Sequence, residues 1–229
     1  MSLIRVGPST QPPEDISITQ YLARGAAADI WVVSPEQLPK RVCKTLRISP
    51  ERLIRSRLDG SIGLQLSEDP WMTFVEELSA AVKTWSSLDH QNVVRIFGIS
   101  GGMSLGVDYY SGGCVRDCLK ARSSTVDKVA MISDVLAGVK YLHEHEPPIV
   151  HGNLNAGKVF VDHDGRAVVG EFGLAATCYP FAAYAPSISF DGLTRWFSPE
   201  LLDDDTDQVP QPTLTSDVWA LGCTIYEVW

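Results

Sequence analysis

The sequence lacks the marks of several large protein classes. No apolar run approaches the roughly 20 residues needed to cross a bilayer, and the N-terminus has no apolar core of a signal peptide. Basic charge is in deficit: 19 Lys and Arg face 28 Asp and Glu, a net −9, with no basic tract. That balance excludes nonspecific nucleic-acid binding. The five cysteines (43, 114, 118, 178 and 223) are odd in number, and Cys114 and Cys118 have no second pair with which to form a metal knuckle. The expectation is a reduced chain, intracellular and cytoplasmic, with neither membrane nor nucleic acid as partner. Internal repeats are absent as well.

What is present is a globular composition, 45% hydrophobic over 229 residues, enough for one large domain or two lobes. Residues 1–15, with Pro8, Pro12 and Pro13, read as a flexible lead-in. Strands are expected over Ile16 to Ala23, Asp29 to Ser34 and Arg41 to Arg47, with Val42 and Lys44 on one face and Cys43 on the other. Residues 48–69 are charged and irregular, as an insertion would be. Asp69-Pro70 signals a helix start, and Phe74, Leu78, Ala81, Val82, Trp85 and Leu88 then recur at helical spacing. Val93 to Ile99 and Met103 to Tyr109 read as strands, and a short helix begins near Val115. Thr125 to His145 reads as a helix with Val129, Ile132, Leu136 and Val139 on its apolar face. Leu174 to Phe197 reads as a long loop, and Ser216 to Trp229 as a helix apolar on nearly every side, which belongs in a core. Strands first and helices later make an α+β pattern.

The chemistry gathers between Ile149 and Gly173. A polar loop, His151 to Gly157, precedes Val159-Phe160-Val161, a turn through Gly165, and a second short strand over Arg166 to Val169. Two short strands around a Gly-containing turn form a hairpin. Glu171-Phe172-Gly173 follows it.

In this order the motifs resemble a protein kinase domain, closest in flavour to the tyrosine-kinase-like serine/threonine group. The resemblance runs from about Ile18 to Trp229 through Val42-Cys43-Lys44, His90-Gln91-Asn92, His151-Gly152-Asn153, Glu171-Phe172-Gly173, Ser198-Pro199-Glu200 and Ser216-Asp217-Val218-Trp219. Each motif is weak alone; their register carries the reading. It implies a two-lobed fold: residues 16–110 a small antiparallel β-sheet N-lobe with one main helix and the hinge, residues 111–229 a mostly helical C-lobe cut short after its central helix.

The resemblance also assigns roles. The nucleotide would lie against Ala23, Gly25, Ala28, Ile30, Val42, Lys44, Val107, Asp108, Tyr110 and Phe160, with Lys44 on phosphate and the Asp108 carbonyl and Tyr110 N–H at the adenine edge. Ala23 and Ala28 stand where the family has glycine, and their methyl groups hold the loop backbone off a phosphate. Val42 and Phe160 add volume to the adenine pocket, which costs about 1–3 kcal/mol. The glutamate that would partner Lys44 aligns with Ala81; Glu77, one turn earlier, is the substitute candidate.

At the reaction centre, Asn153 holds the proton-acceptor position, and a neutral amide is no base near neutral pH. Asn155 replaces the phosphate-contacting lysine. Lys158 and Glu171 occupy the two Mg²⁺ positions, where an ammonium and an acid are expected to pair with each other and metal binding is doubtful. Ile96, Trp85, Phe172 and His151, anchored from Asp217, would form a packed spine. The expectation is therefore a pseudokinase, a signalling scaffold or allosteric switch with weakened ATP binding and a protein partner. Its rivals are an active ATP-dependent serine/threonine kinase with non-standard residues and a truncated fragment without activity. Thr177, Tyr179, Tyr184, Ser187 and Ser189 would be phosphorylation candidates of the activation segment.

Overall fold

The computed structural model describes residues 18–24, 28–33, 40–48, 70–100, 103–122, 126–178, 194–202 and 211–229. The lead-in, Gly25, most of 48–69, Tyr179, Tyr184, Ser187 and Ser189 lie outside them. The described residues fall into two compact units, one of residues 18–87 and 95–109, the other of 88–94 and 110–229.

Among its described residues the first unit holds a five-stranded antiparallel sheet and one helix. β1 (Ile18–Arg24), β2 (Ala28–Val33), β3 (Arg41–Leu46), β4 (Ile96–Ser100) and β5 (Ser104–Asp108) take the order β1-β2-β3-β5-β4. β3 is central and buried from Val42 through Leu46, on both faces rather than one. Its polar residues therefore need internal partners. Thr45 Oγ1 meets Ser104 Oγ at 2.7 Å, and Arg47, just beyond the strand, holds the buried Asp29 carboxylate at 3.1 Å. The helix α1 (Pro70–Trp85) starts at its proline, whose missing N–H costs nothing there. It buries Phe74, Leu78, Val82 and Trp85 at helical spacing and packs on β4.

Val93 and Val94 do not join β4, as the apolar run from Val93 suggests. They belong to the second unit: Val94 N donates to Val169 O, and Val169 N to Asn92 O, both at 2.8 Å. Asn92 Nδ2 also donates to Ala167 O at 2.9 Å. That segment thus clamps the hairpin of β6 (Val159–Val161) and β7 (Ala167–Val169), whose register pairs Val159 with Val169.

Around the hairpin lie α2 (Val115–Arg122), α3 (Lys128–His143), a five-residue helix α4 (Leu174–Cys178) and α5 (Leu214–Val228). The start of the expected long loop is therefore helical. α3 starts at Lys128, three residues inside the expected start, and the Asp127 side chain caps it by accepting from Ala130 N. Its buried face is Met131, Val135, Gly138, Val139 and Leu142; Val129 and Leu136, expected to face inward, are exposed. Gly138 explains the rotation. A Cβ there would strike the Asn92 carbonyl, so the helix lays its glycine face against that backbone.

α5 opens with a capping box between Thr213 and Ser216 and buries Ser216, Asp217, Ala220, Leu221, Thr224 and Val228. Val218, Trp219, Tyr226 and Trp229 are exposed, so the helix is amphipathic rather than buried all round. Its buried face carries the small and polar residues that a hydrophobicity count passes over. All five cysteines are free, and burial pushes the Cys178 thiol up to about 12. Among the described residues no helix is long and apolar enough to cross a membrane.

Candidate functional site

In the first unit, the residues expected to meet a nucleotide sit on β1, β2, β3 and β5. Ala23 is exposed, Ala28 and Ile30 half-buried, and Val42, Lys44 and Val107 buried. Strand register places Lys44 between Ile30 and Leu105, and Val42 opposite Val107. Glu77 is not the partner of Lys44. It is exposed on α1 and makes no ion pair among the described residues, because Phe74, Leu78 and Val82 turn the opposite stripe into the core. Asp108 is paired across the sheet with Arg41; burial raises its carboxyl pKa, against the pull of Arg41 and Arg95.

In the second unit, the loop over residues 151–157 hangs from one buried carboxylate. Asp217 Oδ2 accepts from His151 N at 2.6 Å and Oδ1 from Gly152 N at 2.8 Å, with His143 Nε2 at 3.0 Å from Oδ2. Gly152 takes φ +75°, which a glycine adopts without strain and which turns both amides toward the same acceptor. The His151 ring is fully buried, its Nδ1 accepting from Asn153 N at 3.3 Å. Burial pushes its pKa below the ordinary value, so it packs as a neutral ring. Phe172 is also fully buried, and in the first unit Ile96 and Trp85 are buried to within a few per cent. The Tyr110 and Phe160 rings stack at 5.9 Å between centroids.

The polar residues of the loop bond to one another. Asn155 is buried and donates from Nδ2 to Asn153 O at 3.1 Å and to Asn153 Oδ1 at 3.3 Å. After the loop, Lys158 Nζ forms an ion pair with Glu171 Oε2, both side chains about four-fifths buried at 19% and 22% exposure. Glu171 holds φ 60°, a left-handed backbone rare for a residue with a Cβ. The Gly170 N to Lys158 O bond, at 2.9 Å, ties the two chain segments together beneath the pair.

This donor set does not fit Mg²⁺. The ion demands oxygen ligands in near-ideal octahedral geometry. Lys158 offers a cation without a lone pair, and it already occupies the Glu171 carboxylate. What the pair does is neutralise itself.

Sequence reasoning passed over Arg116 and Glu227. Arg116 Nη2 donates to Asn155 Oδ1 at 3.0 Å and its Nε to Glu227 Oε1 at 2.7 Å, while Glu227 Oε2 accepts from Ala156 N at 3.0 Å. One signal was available: a lone glutamate in the last turn of a largely apolar helix must find a partner if it is part-buried.

The chain is similar to known proteins over most of its length. A model of the family described as protein tyrosine and serine/threonine kinase matches residues 66–229. The chain is 25% identical over 228 residues to the mitogen-activated protein kinase kinase kinase bck1 of Aspergillus fumigatus, covering 97% of this chain and 13% of the relative. It is 27% identical over 158 residues to YODA, a mitogen-activated protein kinase kinase kinase of Arabidopsis thaliana, covering 67% of this chain and 17% of the relative. The figures for the MAP kinase kinase kinase mkh1 of Schizosaccharomyces pombe are 28% over 159 residues, 67% and 14%. The chain thus spans less than a fifth of the length of these relatives.

Proposed function

The chain belongs to the protein tyrosine and serine/threonine kinase family, and from that premise we propose that it is a pseudokinase. It keeps the fold as a signalling scaffold or allosteric switch and has weak or no phosphotransfer. The observation that carries this reading is the Lys158–Glu171 ion pair, formed by the two residues that the resemblance assigns to the metal positions. An internal ammonium balances the carboxylate that Mg²⁺ would otherwise neutralise. Asn153 adds to it, since an amide accepts no proton from a substrate hydroxyl, and loss of a general base costs about 10²–10⁴-fold. Asn155 adds further, its side-chain amide bonded within the loop.

ATP binding on this reading is weakened and independent of metal. The resemblance keeps Lys44 for phosphate and puts larger side chains, Val42 and Phe160, at two positions that it assigns to the base. The partner is a protein, and the similarity to MAP kinase kinase kinases supports a place in such a phosphorylation cascade. Thermal-shift titration with ATP, with and without Mg²⁺, tests the proposal together with a radiolabelled transfer assay. Small, metal-independent shifts and no transfer are expected. Tight binding that requires Mg²⁺, or transfer at kinase-like rates, overturns it in favour of an active kinase with unusual residues.

A further inference from the structure

Arg116 is the second residue of α2, yet its side chain hydrogen-bonds to two other chain segments. Nη2 donates to Asn155 Oδ1 at 3.0 Å and Nε to Glu227 Oε1 at 2.7 Å. Its backbone N donates to Ala156 O at 3.2 Å. The guanidinium carbon lies 5.6 Å from the centre of the Trp196 ring. Each contact consumes a different group of the same residue, and a planar, always-charged fork is the side chain suited to that.

Asn155 is saturated as a result. Its Oδ1 accepts from Arg116 and, at 3.0 Å, from Gly157 N, while its Nδ2 donates twice to Asn153. An independent feature agrees. A Cβ at Gly157 would lie 2.9 Å from Arg116 Nη1 and 3.0 Å from Asn155 Oδ1, so the glycine leaves room for the guanidinium against the loop backbone.

We infer that Arg116, braced by Glu227, is a positioning residue that locks Asn155 and through it Asn153, fixing the loop over residues 153–158 in one arrangement. The lock belongs to this sequence's asparagines. A lysine at 155 would set an ammonium against the Arg116 guanidinium, a like-charge contact in a part-buried site. The inference holds whether or not the chain transfers phosphate.

Amide hydrogen exchange on the full chain tests it. Arg116→Met keeps the apolar stem and removes the fork; Arg116→Lys keeps the charge alone. Both are expected to speed exchange at Gly157 and Ala156 at least tenfold, with Val94 and Val169 unchanged. In an Asn155→Ala background, Arg116→Met is expected to add nothing at Gly157. Unchanged protection at Gly157, full rescue by lysine, or equal acceleration at Val169 would each overturn the lock. A second measurement is independent of exchange. Asn155→Lys is expected to lower the melting temperature, and adding Arg116→Met to recover at least half of the loss. A lysine at 155 that is tolerated beside Arg116 overturns the inference.

Discussion

Lys158 Nζ rests on Glu171 Oε2, and Glu171 is presented to it from a left-handed backbone at φ 60°. The ammonium precedes β6 and the carboxylate follows β7, so both stand at the open end of the hairpin and the pairing of Val159 with Val169 sets their approach. Removing one partner leaves the other charge part-buried.

Lys158→Met is therefore expected to destabilise the protein by about 1–3 kcal/mol in urea unfolding, between the cost of a surface pair and a fully buried one. Glu171 freed of its lysine also becomes an oxygen ligand. The melting temperature of this variant is expected to rise with Mg²⁺, while that of the unmodified chain does not. A matching Mg²⁺ response in both proteins would show that the pair does not exclude the ion.

Asp217→Ala removes the acceptor of the two backbone amides of His151 and Gly152. Bonds to a charged acceptor contribute about 1.5–3 kcal/mol each. The loss is expected to exceed about 3 kcal/mol, with the amides of residues 151 and 152 exchanging fastest if the fold survives. A loss under 1 kcal/mol would mean that water replaces the carboxylate there.

His151 gives a pH signature. Its folded pKa is lowered by burial, so the unfolded state binds the proton more readily. Its contribution is complete above the unfolded value of about 6.5 and is lost as pH falls below it. Melting temperature is expected to drop between pH 7 and pH 5 more steeply in the unmodified chain than in His151→Phe. Parallel profiles would assign the acid sensitivity to other groups.

Two helical glycines should respond oppositely to alanine. Gly138 meets the Asn92 carbonyl and Val169 side chain, so Gly138→Ala is expected to destabilise by about 1–3 kcal/mol despite better helix propensity. At Gly222, on α5, a Cβ meets nothing within 4 Å. Gly222→Ala is expected to stabilise by about 0.5–1 kcal/mol. Denaturant midpoints of the two variants give the comparison directly.

What the sequence determined by itself was the order of elements and the chemistry of the loop. Period-two and helical spacing are properties of neighbouring residues, so β3, α1, the β6–β7 hairpin and α5 were readable from composition and punctuation. Asn153, Asn155, Lys158 and Glu171 could be singled out once the motifs stood in register, and so could the complementarity of Lys158 and Glu171. Which face each helix buries was decided by tertiary structure. Glu77 stands at a plausible helical spacing but on the solvent stripe of α1, and Val129 lost its place on α3 to Gly138, whose missing Cβ allows a close approach. The clamp of Arg116 on Asn155 and Glu227 joins residues 39 and 111 positions apart. No local pattern encodes such a contact, because it exists only where packing brings three segments within hydrogen-bond reach and withdraws enough water to make each partner necessary.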